Sequence, residues 1–298
     1  MITLRQLEIF LAVARRQHVT LAARDVHLSQ SAVSAALSEL AERLGGPLLE
    51  RAGRRIVLND RGHRLAFDAE DLLQRVTDLE RRYTKAGGVS GRLRIGASST
   101  IGTYLLPAIV GAFVQDHPEV EVDLEVGNTA AIENQLVQRQ LDIAFIEGPS
   151  HHPQVKAMPW REDKLVVFVA PGHALASRRK LRPAQIQGER WIMREEGSGT
   201  RSVFEAAMLL HGLQVRAALT FGHSEAVKQA VQAGLGIGCL SELAVRRELA
   251  ARELLALRVP QLDLSRRLWR IGRRAAYESS LLQAFAAHLA SKPGKRPT

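Results

Sequence analysis

Cysteine is nearly missing from this chain of 298 residues: Cys239 stands alone, which excludes a disulfide framework within it. No uninterrupted apolar run approaches the length of a membrane span. The opening MITLRQLEIF lacks the apolar core and cleavage site of an export signal. Together these absences lead to the expectation of a cytoplasmic protein that makes no use of a membrane. Signatures of catalysis are missing too: there is no G-x-S-x-G elbow, Walker loop, H-E-x-x-H or G-x-G-x-x-G. Glu147, His151 and His152 lie close in sequence, but no fourth ligand is indicated and a surface turn is the better reading. No metal, no cofactor and no enzymatic activity are therefore expected. Cys239 sits in an apolar stretch and reads as a buried thiol rather than a redox sensor.

What the chain has is hydrophobic content, 46% of its residues, enough for more than one core and for two or three domains. It also has a net charge of +10, which favours a polyanionic partner. Residues 1–64 carry ten Arg against six acids, and Arg51, Arg54 and Arg55 cluster. The rest of the charge is spread along the chain, so charge alone does not locate a surface for nucleic acid.

Three short helical patterns open the chain. Leu4, Leu7, Phe10, Leu11 and Ala14 recur at helical spacing in the first. Thr20 is the expected N-cap of the second, and Ser29 of a third over 30–44, which Gly45-Gly46 and Pro47 end. Val33, Leu37, Leu40 and Leu44 make an apolar stripe on that third helix, while Gln30, Ser34 and Ser38, with Ser31 beside them, line another face. Small residues let a backbone come close to a surface, and Gln can pair with an adenine edge. Two short helices joined by a tight turn match a helix-turn-helix, although an ordinary three-helix bundle with Ser caps fits the periodicity equally.

The next segment favours DNA. Leu48-Leu49-Glu50-Arg51, Ala52-Gly53-Arg54-Arg55 and Ile56-Val57-Leu58 read as a hairpin wing with a basic tip, able to reach phosphates or a narrow minor groove. A long helix then runs from Asn59 or Asp60 to about Lys85. Its apolar positions Leu65, Ala69, Leu72, Val76, Leu79 and Tyr83 follow spacings of 4, 3, 4, 3 and 4, a heptad seam that asks for a partner helix or for a face of the same chain. Ala86-Gly87-Gly88 ends it. The domains expected are thus a DNA-binding head at 1–58, a linker and dimerisation helix with its hinge at 59–90, and a regulatory domain at 91–298.

From residue 91 short strands alternate with helices: strands at 92–97, 120–126, 141–146, 165–170, 191–193, 217–220 and 236–240, and helices at 104–115, 130–139, 200–210 and 225–233. The pattern predicts mostly parallel sheet in two similar α/β units, with ligand bound in the crevice between them where strand ends meet helix starts. Polar junctions fall at those places: Ser98-Ser99-Thr100, Gly127-Asn128-Thr129, Glu147-Gly148-Pro149, Ser198-Gly199-Thr200 and Gly222-His223-Ser224. Hydroxyls and free backbone N–H groups at helix starts cradle an anion or a carboxylate. Each of these residues also has an ordinary capping role open to it. Residues 291–298 are polar, contain two prolines and read as a frayed tail.

Leu4-Arg5-Gln6-Leu7, Phe10, Val13, Thr20, Ala22-Ala23, the run from Leu28-Ser29-Gln30 to Ser34, Leu40, Leu44-Gly45, Leu48-Leu49, Arg51 and Gly62 form a specific signature. By it the chain resembles the LysR-type transcriptional regulators along nearly its whole length. The resemblance implies an α+β multidomain fold: a winged helix-turn-helix, a long linker helix, and a two-subdomain α/β sensor like a type 2 periplasmic binding protein. It also implies a homo-oligomer, dimer or tetramer, on double-stranded promoter DNA under the control of a small-molecule effector. Carried over by position, Gln30, Ser31, Ser34, Arg51 and Arg54 face DNA, with Ser38 and Arg55 beside them. Ser98, Ser99, Thr100, Asn128, Thr129, Glu147, Ser198, Gly199, Thr200 and His223 face effector. Ser31 stands where the family usually has proline, and Leu49 where it has phenylalanine; both changes preserve helix start and packing. The stretch from Gly96 to Pro107, with Glu147-Gly148-Pro149 and Gly197-Ser198-Gly199-Thr200-Arg201, is most similar to the group containing the activator of sulfite reductase genes. That likeness implies a link to sulfur or another inorganic nutrient. Ser98, Thr100, Ser198 and Thr200 suit a small oxyanion or carboxylate as effector, while Glu147 would repel an anion or bind the amine of a zwitterion. A solute-binding protein without specific DNA binding, and a constitutive DNA-binding protein with a vestigial sensor, are the competing readings.

Overall fold

The computed structural model describes residues 1–53, 55–83, 89–274 and 278–291, with 81–83 described by their backbone alone. The chain divides into two compact units, Met1–Gly88 and Val89–Thr298.

The first unit runs α1 (Leu4–Arg16), α2 (Val19–Asp25), α3 (Gln30–Arg43), β1 (Leu49–Ala52), β2 (Arg55–Leu58) and α4 (Asp60–Tyr83). Thr3 and Gln6 start α1 with a reciprocal capping box, which satisfies two of the donors that a helix start leaves open. Phe10 and Val13 on its buried face face Leu40 and Val33 of α3 in the head's two small cores. Ser29 caps α3 as expected, accepting the Ala32 N–H at 3.1 Å. Gly45, at φ +80, takes the left-handed conformation that stops the helix, and the Gly46 N–H returns to the Ala41 carbonyl at 2.9 Å.

Thr20 does not cap the second helix. The helix begins at Val19 with His18 in the cap position, and the Thr20 hydroxyl instead donates across the turn to Gln30 Oε1 at 3.1 Å. The wing is an antiparallel hairpin from Leu49↔Leu58 to Ala52↔Arg55. Gly62 is where α4 crosses it: a Cβ there would lie 2.0 Å from the Leu48 carbonyl oxygen, so only glycine fits.

The apolar stripe of α4 is divided: part of it packs on its own chain, the alternative that the spacing left open, and part of it does not. Ala69 is fully buried among Leu7, Phe10, Leu11, Leu40 and Leu48, and Leu65, Ala66 and Leu73 pack on the same core. Leu72 and Leu79, by contrast, are 43% and 54% exposed. Heptad spacing does not say whether the face it creates is covered by the same chain or another. The Tyr83 side chain, the hinge at 84–88, Arg54 and the tail beyond 291 lie outside the described residues.

The second unit holds β3 (Gly91–Ser98), α5 (Ser99–Tyr104), α6 (Leu106–Asp116), β4 (Val120–Gly127), α7 (Thr129–Val137), β5 (Ile143–Glu147), β6 (Val155–Val169), α8 (Pro183–Gln187), β7 (Trp191–Arg194), α9 (Gly199–Leu209), β8 (Ala217–Phe221), α10 (Ser224–Gln232), β9 (Ile237–Ser241), α11 (Glu242–Ala250), β10 (Leu255–Leu257), β11 (Ser265–Arg273) and α12 (Ser280–Ser291). Its strands follow the order β4-β3-β5-β11-β6-β9-β7-β8, with β10 paired to β6. Two α/β lobes result, as the alternation predicted. One is centred on Leu93, Ile95, Phe113, Phe145 and Phe285, the other on Val167, Val169, Trp191, Phe204 and Met208.

The sheet is parallel only within each lobe, through β3, β4 and β5 and through β7, β8 and β9. Between the lobes β6 and β11 form a long antiparallel ribbon, from Ser265↔Lys164 to Arg273↔Val155. That ribbon was largely invisible in sequence: only the last third of β6 was expected, and β11 not at all. The helix expected over 104–115 is α6, and a short helix that was not expected, α5, precedes it, the two being separated at Leu105 with Pro107 in the first turn of α6.

Candidate functional site

In the head, α3 presents the residues that its periodicity set apart. Gln30, Ser31, Ser34 and Ser38 are exposed, while Val33 and Leu40 on the opposite side are fully buried. The Ser31 and Ser29 hydroxyls lie 3.0 Å apart at the start of the helix. Arg51 and Arg55 on the two strands of the wing are exposed as well. The result is a face of small polar side chains on a well-anchored helix beside a hairpin carrying cations, which suits close approach of a phosphate backbone and hydrogen bonding to base edges.

In the second unit the polar junctions converge where the lobes meet. Ser98, Thr100, Ser198, Thr200 and Glu147 are all buried together. Glu147 ends β5 and its carboxylate is held by donors from both lobes: the Thr100 backbone N–H at 3.1 Å, the Thr200 hydroxyl at 2.8 Å and Arg266 Nη1 at 2.7 Å. Arg266 also donates to the Thr200 hydroxyl at 3.0 Å, the Thr100 hydroxyl at 3.3 Å and, through Nε, Asp163 at 2.7 Å. Ser241 donates to the other Asp163 oxygen at 2.7 Å. Burial opposes ionisation of Glu147, but the Arg266 charge and the hydrogen bonds of Thr100 and Thr200 outweigh it and hold its pKa at about 2. Burial likewise opposes the Arg266 charge, and the two carboxylates raise its pKa above the ordinary value.

A second bridge between the lobes lies at Arg194, whose guanidinium donates to Ser99 at 3.0 Å and to Ser224 at 3.1 Å while pairing with Glu195 at 2.7 Å. The lobes touch closely at Gly199, where a Cβ would fall 2.3 Å from the Glu147 carbonyl oxygen and 2.8 Å from the Thr129 hydroxyl. Backbone joins them too, through the Ala130 N–H and the Gly197 carbonyl at 3.2 Å. Within this closed interface the Ser98 and Thr129 hydroxyls are buried and have no hydrogen-bond partner. A buried hydroxyl left unpaired costs free energy, and such groups recur at ligand sites.

Not every expected residue joins the cluster. Asn128 stands at the rim, its side-chain oxygen capping α7 on the Ala131 N–H at 2.9 Å and its amide donating across the lobes to the Glu196 carbonyl at 3.5 Å. His223 is exposed, and it is its neighbour Ser224 that reaches Arg194. His152 folds onto its own turn, its Nδ1 accepting the Gln154 N–H at 3.2 Å. Among the described residues no group of three or more His, Cys, Asp and Glu is placed to hold a metal, and no helix is long and apolar enough to cross a membrane. Cys239 is buried, and burial pushes its thiol pKa far up.

Sequence reasoning missed Arg266, Asp163, Arg194 and Ser241. Arg266 did leave a signal: Leu262, Leu264 and Leu268 alternate inward around it, so an arginine occupies a core-facing position of an amphipathic strand.

A family model described as "Bacterial regulatory helix-turn-helix protein, lysR family" matches residues 4–63, and one described as "LysR substrate binding domain" matches residues 86–293. The HTH-type transcriptional regulator YeiE of Escherichia coli (strain K12), itself described as uncharacterized, is 42% identical over 284 residues, which are 95% of this chain and 96% of that one. The RuBisCO operon transcriptional regulator of Allochromatium vinosum is 33% identical over 99% of this chain and 97% of its own. Among solved structures, the CcmR regulatory domain of Synechocystis PCC6803 in complex with 2-PG is 30% identical, covers 70% of this chain and 100% of that one, and superposes with a TM-score of 0.65.

Proposed function

The chain belongs to the LysR family of DNA-binding transcriptional regulators with an effector-binding domain, and on that premise we propose that its effector is a small oxyanion or carboxylate bound between the lobes. The observation that carries this reading is the pair of buried, unpartnered hydroxyls of Ser98 and Thr129 beside the Glu147–Arg266 pair. Thr100, Ser198 and Thr200 complete a lining of hydroxyls at helix starts, the surroundings that favour a small anion. Glu147 does not argue against a negative ligand, because its two oxygens already accept three donors and Arg266 matches its charge. Its occupied oxygens leave no need for an amine, so a simple anion is favoured over a zwitterion.

The pathway we propose is sulfur or other inorganic-nutrient metabolism, on the resemblance of the 96–107 and 197–201 stretches. Overall identity does not choose it, since a regulator named for a RuBisCO operon is 33% identical. On the DNA side, Gln30, Ser31, Ser34 and Ser38 of α3 are proposed to lie nearest the bases, with Arg51 and Arg55 on phosphate. The functional division proposed is head at 1–58, linker helix at 59–90 and sensor at 91–298. The exposed Leu72 and Leu79 of the linker helix, with the half-buried Val76 between them, are the proposed contact between copies of the chain. Effector acts by binding two arrangements of that assembly with different affinity, which shifts DNA bend or occupancy.

The test is calorimetric titration of the full chain with sulfite, sulfate, phosphate and acetate, followed by footprinting of a bound promoter fragment with each ligand that binds. The expected result is one ligand whose affinity falls at least tenfold in Ser98→Ala and which alters the footprint. Binding equal in Ser98→Ala and wild type, or no binding by any of the four, overturns the proposal.

A further inference from the structure

We propose that the β6–β11 ribbon between the lobes carries a second binding site, separate from the effector cleft, for a compact organic anion with two or three acidic groups. A cavity of about 950 Å³ lies between β6, β11 and the start of α11. None of the cleft hydroxyls lines it. Three cations from three different elements do: Lys164 of β6, Arg246 of α11 and Arg267 of β11. All three are exposed, and among the described residues their side chains make no hydrogen bond or close ion pair, although the pKa of Asp263 is lowered by hydrogen bonds from Ser265 and, in smaller part, by nearby Lys164. Arg267 lies directly across the ribbon from Glu162, where opposite charges ordinarily pair, yet the two make no ion pair. The cations therefore remain available to a ligand. Glu162 and Glu242 also border the cavity and set its selectivity. They oppose a densely charged polyanion and offer acceptors to hydroxyls on a smaller one.

Between this cavity and the cleft stand Asp163 and Arg266, which line the one and bind within the other. Arg266 has spent its donors on Asp163, Glu147, Thr200 and Thr100, so it is the link rather than the receptor. The link continues to α11: Ser241 accepts the Leu243 N–H at 3.2 Å at the helix start and donates to Asp163 at 2.7 Å. An anion spanning Arg246 and Arg267 ties α11 to β11, and any shift it imposes reaches Glu147 through Ser241, Asp163 and Arg266. Occupancy of either site then changes affinity at the other by the same factor.

The test titrates the full chain at low salt with citrate and with phosphoenolpyruvate, which separate a polycarboxylate source from a phosphorylated one. Wild type is compared with the double variant Arg246→Ala, Arg267→Ala, with Lys164→Gln and with the cleft variant Ser98→Ala. The expected result is that one probe binds, weakened at least tenfold in the double variant and threefold or more in Lys164→Gln, but less than twofold in Ser98→Ala. Because the three cations are exposed, far-ultraviolet circular dichroism and the thermal midpoint stay those of wild type. Binding by neither probe, equal binding in the double variant, or equal loss in Ser98→Ala overturns the second site. The coupling rests on the cleft reading above and has its own readout: a saturating probe changes the affinity of the cleft ligand in wild type and not in the double variant. Binding at the ribbon site without that change overturns the coupling.

Discussion

The face proposed for DNA and the cleft proposed for effector are both rich in serine and threonine, and burial makes them chemically different. Ser31, Ser34 and Ser38 on α3 are exposed, so water can reach their hydroxyls, and only Ser31 touches a structural group, the hydroxyl of the capping Ser29 at 3.0 Å. Ser98, Thr100, Ser198 and Thr200 are buried around an ion pair whose two side chains are each only 2% exposed. Every polar atom there must find a partner within the chain or in a ligand. The head keeps recognition apart from stability, whereas the cleft ties the two together. A regulator gains from that division: DNA contacts can change without unfolding the head, while a ligand that alters the cleft changes how the lobes hold together.

The sharpest way to break this contrast is Arg266→Met. The substitution keeps the volume and leaves Glu147 and Asp163 buried without their cation. Removing one partner of a buried pair costs about 3–5 kcal/mol, and this guanidinium serves two carboxylates. Unfolding of the sensor in urea, followed by its tryptophans, is expected to show a loss of at least that size, with nonspecific DNA affinity unchanged. Stability within about 1 kcal/mol of wild type, a small change by the scale of single mutations, would show that the lobes do not lean on this network.

Acid sharpens the same point with a smaller effect. The pKa of Glu147 is about 2 in the folded chain, against an ordinary value of 4.5. The folded value is the lower one, so the stability it contributes is fully present above about pH 4.5 and is lost as pH falls towards 2. The difference corresponds to about 3 kcal/mol. Denaturant midpoints measured between pH 5.5 and pH 2.5 are expected to fall in wild type, with a shallower fall in Glu147→Gln. Equal slopes in the two proteins would remove Glu147 as the acid-sensitive group.

How much of this was legible beforehand follows the same division. The head was readable because its logic is local: Ser29 caps, Gly45 stops, and an apolar stripe lies opposite a small polar face within fourteen residues of α3. The cleft was readable only in part. Ser98, Thr100, Glu147 and Thr200 mark strand ends and helix starts, and those junctions have a sequence signature. Asp163 does not, and Arg266 left only the mark of an arginine at a core-facing strand position; their pairing had no signature, because they lie 103 residues apart and meet only through the antiparallel ribbon. The seam of α4 shows the opposite failure. Its pattern was seen, but a stripe on a helix does not name its partner, and Ala69 turned out to face the chain's own core.

The smallest expected effects belong to the head, and they test the proposed roles of its exposed residues. Gln30→Ala removes a side chain that can pair with an adenine edge, so it should cost about 1–3 kcal/mol at one base pair of the operator and relax preference there. Arg55→Ala should act differently. A cation on the wing that neutralises one phosphate adds about one unit to the slope of log affinity against log salt concentration, and its loss weakens all sequences alike. Both side chains are exposed, so both variants should keep the wild-type unfolding midpoint to within about 0.5 kcal/mol. Binding assays on randomised operators at several salt concentrations separate the two outcomes. If Gln30→Ala lowers only the salt slope, α3 lies on the backbone rather than the bases. If Arg55→Ala changes base preference, the wing reads a groove as well as gripping phosphate, and the recognition surface extends beyond the helix.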